Sequence, residues 1–148
     1  MSLTTFSGPV KSENGFIGPV ANTTLTAAST LTAADSGRTL FLSATAEFAT
    51  TLPAPAAGLS FSFVVAAAPS GASYTIVTSG SANIIKGVQF TAEDAGGSGD
   101  SGTADDTITF VDGQAVAGDR VDLVCDGTNW FAYAFTKLVA GLTFTQAS

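Results

Sequence analysis

The sequence predicts an all-β protein, a compact β-sandwich or barrel-like body carrying an extended N-terminal arm. Three observations lead there. Short runs of β-branched and aromatic residues recur at close spacing, each bounded by turn-forming residues. No segment carries the pattern of a convincing amphipathic helix. Between two of the runs, Asp126-Gly127-Thr128-Asn129 is a strong hairpin signal. A chain of 148 residues suits one domain with a real core, or one domain plus an arm.

Residues 1–34 form the expected arm. They are rich in Thr, Ala and Ser, and Phe6-Ser7-Gly8-Pro9-Val10 returns as Phe16-Ile17-Gly18-Pro19-Val20, with the turn former Asn14-Gly15 between. Each proline fixes its own φ and pushes the preceding residue out of the α region, so each copy offers a Phe and a Val on extended backbone. Phe6, Val10, Phe16 and Val20 are therefore candidate contact residues. Two readings stand side by side. The arm folds back as a hairpin on its own domain, or it reaches another chain by strand addition or groove docking. A second echo follows, Leu25-Thr26-Ala27-Ala28 and then Leu31-Thr32-Ala33-Ala34.

The body spans 35–148. Thr32-Ala33-Ala34-Asp35 has capping-pair spacing, so one helical turn is expected before the first strand. Strands are expected at Arg38 to Ser43, Glu47 to Leu52 and Ser60 to Ala67. In the last of these Phe61, Phe63 and Val65 alternate with Ser60, Ser62 and Val64, as a strand with one buried face should. Tyr74 to Thr78, Ala82 to Lys86, Asp106 to Val111, Arg120 to Asp126 and Trp130 to Phe135 follow. A Gly/Ser/Asp-rich stretch near 95–105 cannot pack a core and is expected as a surface loop.

Composition removes several functions. The net charge is −7 with only five basic residues, which argues against nucleic acid. No histidine occurs, so the commonest general base and metal ligand are missing. One cysteine, Cys125, allows no internal disulfide, and its alternation with Val121 and Leu123 marks it as a small core residue. The N-terminus shows no basic region followed by an apolar run, and Phe63 to Pro69 is far too short to span a bilayer; neither secretion nor a membrane is expected. Asn22-Thr23-Thr24 matches a glycosylation sequon, but has no meaning without secretion.

The remaining motifs are weak. Gly97-Ser98-Gly99-Asp100-Ser101-Gly102 has the dinucleotide glycine spacing but lacks the strand-then-helix setting that would make it bind phosphate. Glu93, Asp94, Asp100, Asp105, Asp106, Asp112, Asp119, Asp122 and Asp126 cluster as calcium ligands do, yet follow no known calcium-loop spacing; turn formation explains most of them. No Gly-x-Ser-x-Gly or Ser-x-x-Lys motif occurs. Neither an enzyme nor a cofactor is expected. Trp130, Phe131, Tyr133 and Phe135 could form a sugar platform, although alternating aromatics more often serve core and interface.

Several segments taken in order carry a resemblance. They are Leu31 to Gly37, Thr51-Leu52-Pro53-Ala54-Pro55-Ala56-Ala57-Gly58, Phe61 to Val65, Tyr74 to Thr78, Asp106 to Phe110, Gly118 to Val124 and Asp126 to Trp130. Over roughly residues 31 to 135 this order resembles small structural proteins of tailed bacteriophages, most of all head decoration (cement) proteins; the last segment also resembles tail-fibre proteins. The resemblance implies a β-rich body, homotrimers on the outer surface of the capsid, the major capsid protein as partner, and synthesis in the host cytoplasm. It also implies an arm that embraces neighbouring capsid subunits; the repeat, not the resemblance, makes Phe6, Val10, Phe16 and Val20 the candidate contacts of that arm. A tail-fibre or receptor-binding component and a carbohydrate-binding β module are the alternatives.

Overall fold

Alternation of large apolar and small polar residues, repeated in strand after strand, leaves the chain one way to hide its apolar side chains: two sheets laid face to face. The structure, a computed structural model, describes residues 22–44, 46–93 and 104–146. Its strands are β1 (Thr23–Leu25), β2 (Ser29–Thr30), β3 (Thr39–Leu42), β4 (Phe48–Thr51), β5 (Ser60–Val65) and β6 (Tyr74–Val77). They continue as β7 (Ile85–Thr91), β8 (Thr107–Phe110), β9 (Arg120–Cys125), β10 (Trp130–Thr136) and β11 (Leu142–Thr145). The only helical pieces among the described residues are three short 3₁₀ turns.

One sheet has six strands in the order β1-β3-β5-β9-β10-β7, the other five in the order β11-β8-β6-β4-β2. The first six strands alternate between the sheets, and each lies parallel to the strand two before it. Parallel neighbours need a long crossover, usually a helix. Here the crossover is a strand of the opposite sheet, so residues 23–77 climb in three rungs. From β8 the pairing turns antiparallel. β8 pairs with β6, β9 with β5, β10 with β9 through the expected hairpin, and β11 with β8. β7 closes the edge of the larger sheet, parallel to β10.

The core lies between the sheets. Leu40, Leu42, Phe61, Phe63, Val121, Leu123 and Trp130 point into it from the six-stranded sheet, and Phe48, Tyr74, Ile76, Ile108, Phe110 and Leu142 meet them from the other. Rings of Phe61 and Trp130 sit 5.8 Å apart, those of Phe48 and Tyr74 4.9 Å apart. The Tyr74 hydroxyl lies 2.8 Å from the Ala44 carbonyl and 3.0 Å from that of Ala67, and accepts the Ala44 N–H at 3.1 Å. One phenol thus ties together the turns of two successive rungs while its ring stays dry.

The all-β body is as expected, and so is the turn at Ala33–Asp35, where the Asp35 carboxylate accepts both the N–H and the hydroxyl of Thr32. Two boundaries differ. The body does not begin near Asp35, because β1 and β2 pair within the two sheets and Leu25 and Leu31 are buried in the core. The echoing leucines are inward anchors of one short rung. Residues 1–21, with Phe6, Val10, Phe16 and Val20, lie outside the described residues, as do 94–103 of the glycine-rich stretch. The strand expected at Ala82 to Lys86 instead runs Ile85–Thr91, through Gly87.

Candidate binding face

Strand β10 positions the feature that stands out. Its inward residues are Trp130, Ala132, Ala134 and Thr136, all buried, so Phe131, Tyr133 and Phe135 point to the outside. Small inward residues suit this place, because the sheets approach closely here. A Cβ on Gly87 of β7, the register partner of Ala132, would overlap the Phe144 ring from the other sheet. Parallel pairing with β7 sets Val88 beside Tyr133 and Phe90 beside Phe135, and antiparallel pairing with β9 sets Val124 beside Phe131. Five large apolar side chains are left in water on one outer face: Phe90 at 54%, Val124 at 47%, Phe135 at 46%, Tyr133 at 45% and Val88 at 40% exposure. Rings of Phe90 and Phe135 stack at 5.4 Å and 18°. Scattered surface apolar residues are ordinary; five on one face, on the order of 400 Å² together, make this face the candidate binding surface.

Of the charged groups on this face, Lys86 beside Phe131 is exposed, while Arg120 and Asp122 engage one another. Arg120 donates to both oxygens of Asp122 at 2.7 and 2.6 Å, and the Ser62 hydroxyl donates to Asp122 at 2.6 Å. Where β7 and β10 end, Phe90 and Phe135 form one wall of a groove of about 500 Å³, with the turn at residues 116–118 opposite. Asp119 holds that turn. It is buried, and its two carboxylate oxygens accept the N–H groups of Lys137 at 2.8 Å and Val116 at 2.9 Å.

The acidic residues do not converge. Among the described residues no three of Cys, Asp or Glu come together as a metal site would need. Asp112 accepts the Gly71 N–H at 2.9 Å. Asp126 accepts the N–H groups of Asn129 and Thr128 at 2.7 and 2.8 Å, and these two, Asn129 first, hold its carboxyl below the ordinary carboxylate range. Cys125 is buried beneath the same hairpin, in line with Val121 and Leu123.

Of the aromatic run read from the sequence, Trp130 belongs to the core while Tyr133 and Phe135 are exposed. Sequence reasoning missed Val88, Phe90 and Val124. The alternation Lys86-Gly87-Val88-Gln89-Phe90 was the available signal, obscured because Gly87 reads as a strand breaker and Gln89 as a surface residue. In fact Gln89 is buried, its amide 2.6 Å from the Thr136 hydroxyl and 3.0 Å from the Val139 carbonyl.

No family model, no curated protein and no solved structure matches this chain.

Proposed function

We propose that this chain is a structural protein of a tailed-bacteriophage particle, a decoration protein that binds the outside of the assembled head and strengthens it. The observation that carries the reading is the exposed aromatic face of the six-stranded sheet. It is a broad apolar platform, and the acid on it is already paired with Arg120 and Ser62. Cores of protein interfaces combine aromatic side chains with few charges in this way. A sugar-binding platform needs free hydrogen-bonding groups beside its rings, and Asp122 is engaged on both oxygens. The place on the head comes from the resemblance of residues 31 to 135 to cement proteins. Such a protein needs no catalysis. Binding the assembled shell and not the free subunit stabilises the shell by linkage, and many copies make modest single-site affinity sufficient. Trimers of this chain, with the major capsid protein as partner, belong to the same reading.

The test is electron microscopy of the phage whose genome encodes the chain, alongside heads incubated with full-length protein. Density for the body on the outer capsid, lost when Tyr133 and Phe135 are both changed to Ser, is expected. Density on the tail would replace the reading with the fibre alternative. Binding to a glycan array, abolished by the same pair of changes and without particle binding, would replace it with the sugar-binding one.

A further inference from the structure

We infer that the aromatic face takes an acidic surface of a different protein. An apolar side chain of that partner sits in the groove beside Phe90 and Phe135, and its carboxylates face Lys86 and Lys137. The inference rests on reading this face as the docking surface, and it names the chemistry of what docks. In a chain of net charge −7 the cations are not spread evenly. Lys86 on β7 and Arg120 on β9 stand in the exposed rows of this face. Lys137 comes two residues after Phe135 and lines the groove with it. Arg38, the remaining basic residue among those described, is paired with Asp35 at 2.9 Å. Asp122 is the one acidic residue within the six strands of this sheet, and Arg120 holds it. Both lysines are exposed, and neither forms an ion pair among the described residues. The face therefore keeps two unpaired cations on a molecule that is acidic as a whole.

The placement of these charges says what fits. Lys86 lies beside Phe131 at the start of β10, and Lys137 comes just after its end. Phe131 and Lys137 are about 20 Å apart along the strand, with Tyr133 and Phe135 between them. The apolar centre thus has a positive charge at each end. A partner that is apolar in the middle and carries carboxylates at its margins matches both features at once. At the Lys137 end, the groove of about 500 Å³ has room for an apolar side chain and the backbone that bears it. The other charged residue lining it, Asp119, is buried and turned to the N–H groups of Lys137 and Val116. Asp126, in the hairpin near Lys86, is likewise occupied by the N–H groups of Asn129 and Thr128. A second copy of the chain is a poorer match. Its Asp35, Glu93, Asp112, Asp119, Asp122 and Asp126 accept hydrogen bonds within their own body, so it presents few free carboxylates. The lysines speed encounter with an acidic partner, and the rings hold it once it has docked.

Two measurements with full-length protein test this. The first is zero-length carbodiimide cross-linking of purified phage particles, which joins a lysine amine to a carboxylate in contact with it. Mass spectrometry should find Lys86 and Lys137 linked to Asp or Glu residues of another particle protein. The second is binding to heads with both charges reversed, Lys86→Glu together with Lys137→Glu. Affinity should fall at least tenfold at about 0.05 M salt, and the deficit should shrink to about twofold in 1 M salt, where the screening length is about 3 Å. The loss caused by Tyr133→Ser with Phe135→Ser should persist at both salt concentrations. Links from the lysines to a tail protein would keep the inference and overturn only the place on the head. If neither lysine is linked and charge reversal changes nothing, while the two serine changes still abolish binding, the docking face stands and its acidic partner is wrong. Links only between copies of this chain overturn the inference too. So does binding to an anionic glycan array that charge reversal abolishes, without any link to a protein. Particles that lack the chain overturn both readings.

Discussion

β5 and β10 lie two strands apart in the same sheet and are patterned in opposite senses. β5 turns Phe61, Phe63 and Val65 inward and leaves Ser60 and Ser62 outside. β10 keeps Ala132 and Ala134 inside and sets Phe131, Tyr133 and Phe135 outside. Both alternate with period two, and alternation alone does not say which set is buried. The neighbours decide. Over β5 the opposite sheet leaves room for phenyl rings; on β7, Phe144 already fills the space against Gly87, the register partner of Ala132. An aromatic side chain on the outside of β10 adds nothing to the core, and on the proposed reading a contact beyond the body is its use.

The sharpest way to break that contrast is to truncate one ring on each strand. Phe63→Ala should lose about 3–5 kcal/mol, because it empties a fully buried site. Phe135→Ala should lose only about 1 kcal/mol, the order of its stacking on Phe90. Urea denaturation measures both. Equal losses would mean that the outer face of β10 is part of the fold and not a docking surface. The second change acts on the crowding itself. Gly87→Ala should cost about 1–3 kcal/mol, since the Phe144 ring has to move to admit a methyl group. Adding Phe144→Leu should recover part of the loss. No recovery would mean that the tight approach of the sheets is not what keeps the inner face of β10 small.

How much of this was legible depends on whether the signal is local. The runs around Phe61, Ile108 and Val121, and the Asp126-Gly127 hairpin, are read from a few consecutive residues, and the strands lie where that reading puts them. β1 and β2 are three and two residues long in a Thr/Ala/Ser-rich stretch, and β11 is four. They exist by pairing with distant strands, which no local pattern announces. The three-rung climb of residues 23–77 is likewise a matter of long-range parallel pairing. The binding face was half legible. Its aromatics were visible in β10, but their direction depended on Gly87 and Phe144, and the partner residues Val88 and Phe90 sat in a strand whose start and end were misplaced.

The smallest effect expected tests whether the hairpin holds β10 in the register that turns its aromatics outward. Asp126 bridges β9 and β10, and the N–H groups of Asn129 and then Thr128 hold its carboxyl below the ordinary value of 3.8. The folded state therefore keeps this group ionised to lower pH than the unfolded chain does. Its contribution is fully present above the ordinary carboxylate range and is lost as pH falls through that range and on through the lowered folded value. Asp35, held low first by the Thr32 hydroxyl and then by the Thr32 N–H, has the same sign and sits in the rung half of the molecule. Asp126→Ala should lower the melting temperature slightly at pH 7, by an amount constant down to about pH 5 that closes as the solution becomes more acidic. Asp35→Ala should follow a curve of the same sign, since both carboxylates are held low by the hydrogen bonds of the turns they close. The two variants should part in hydrogen exchange. Asp126→Ala should speed exchange first in β9 and β10, and Asp35→Ala around β3 and the start of β5, where the Gly37 N–H bonds to the Ser60 carbonyl. No deficit for Asp126→Ala at pH 7 would show that the turn is held by its glycine and backbone alone. The outward direction of Tyr133 and Phe135 would then owe nothing to this carboxylate.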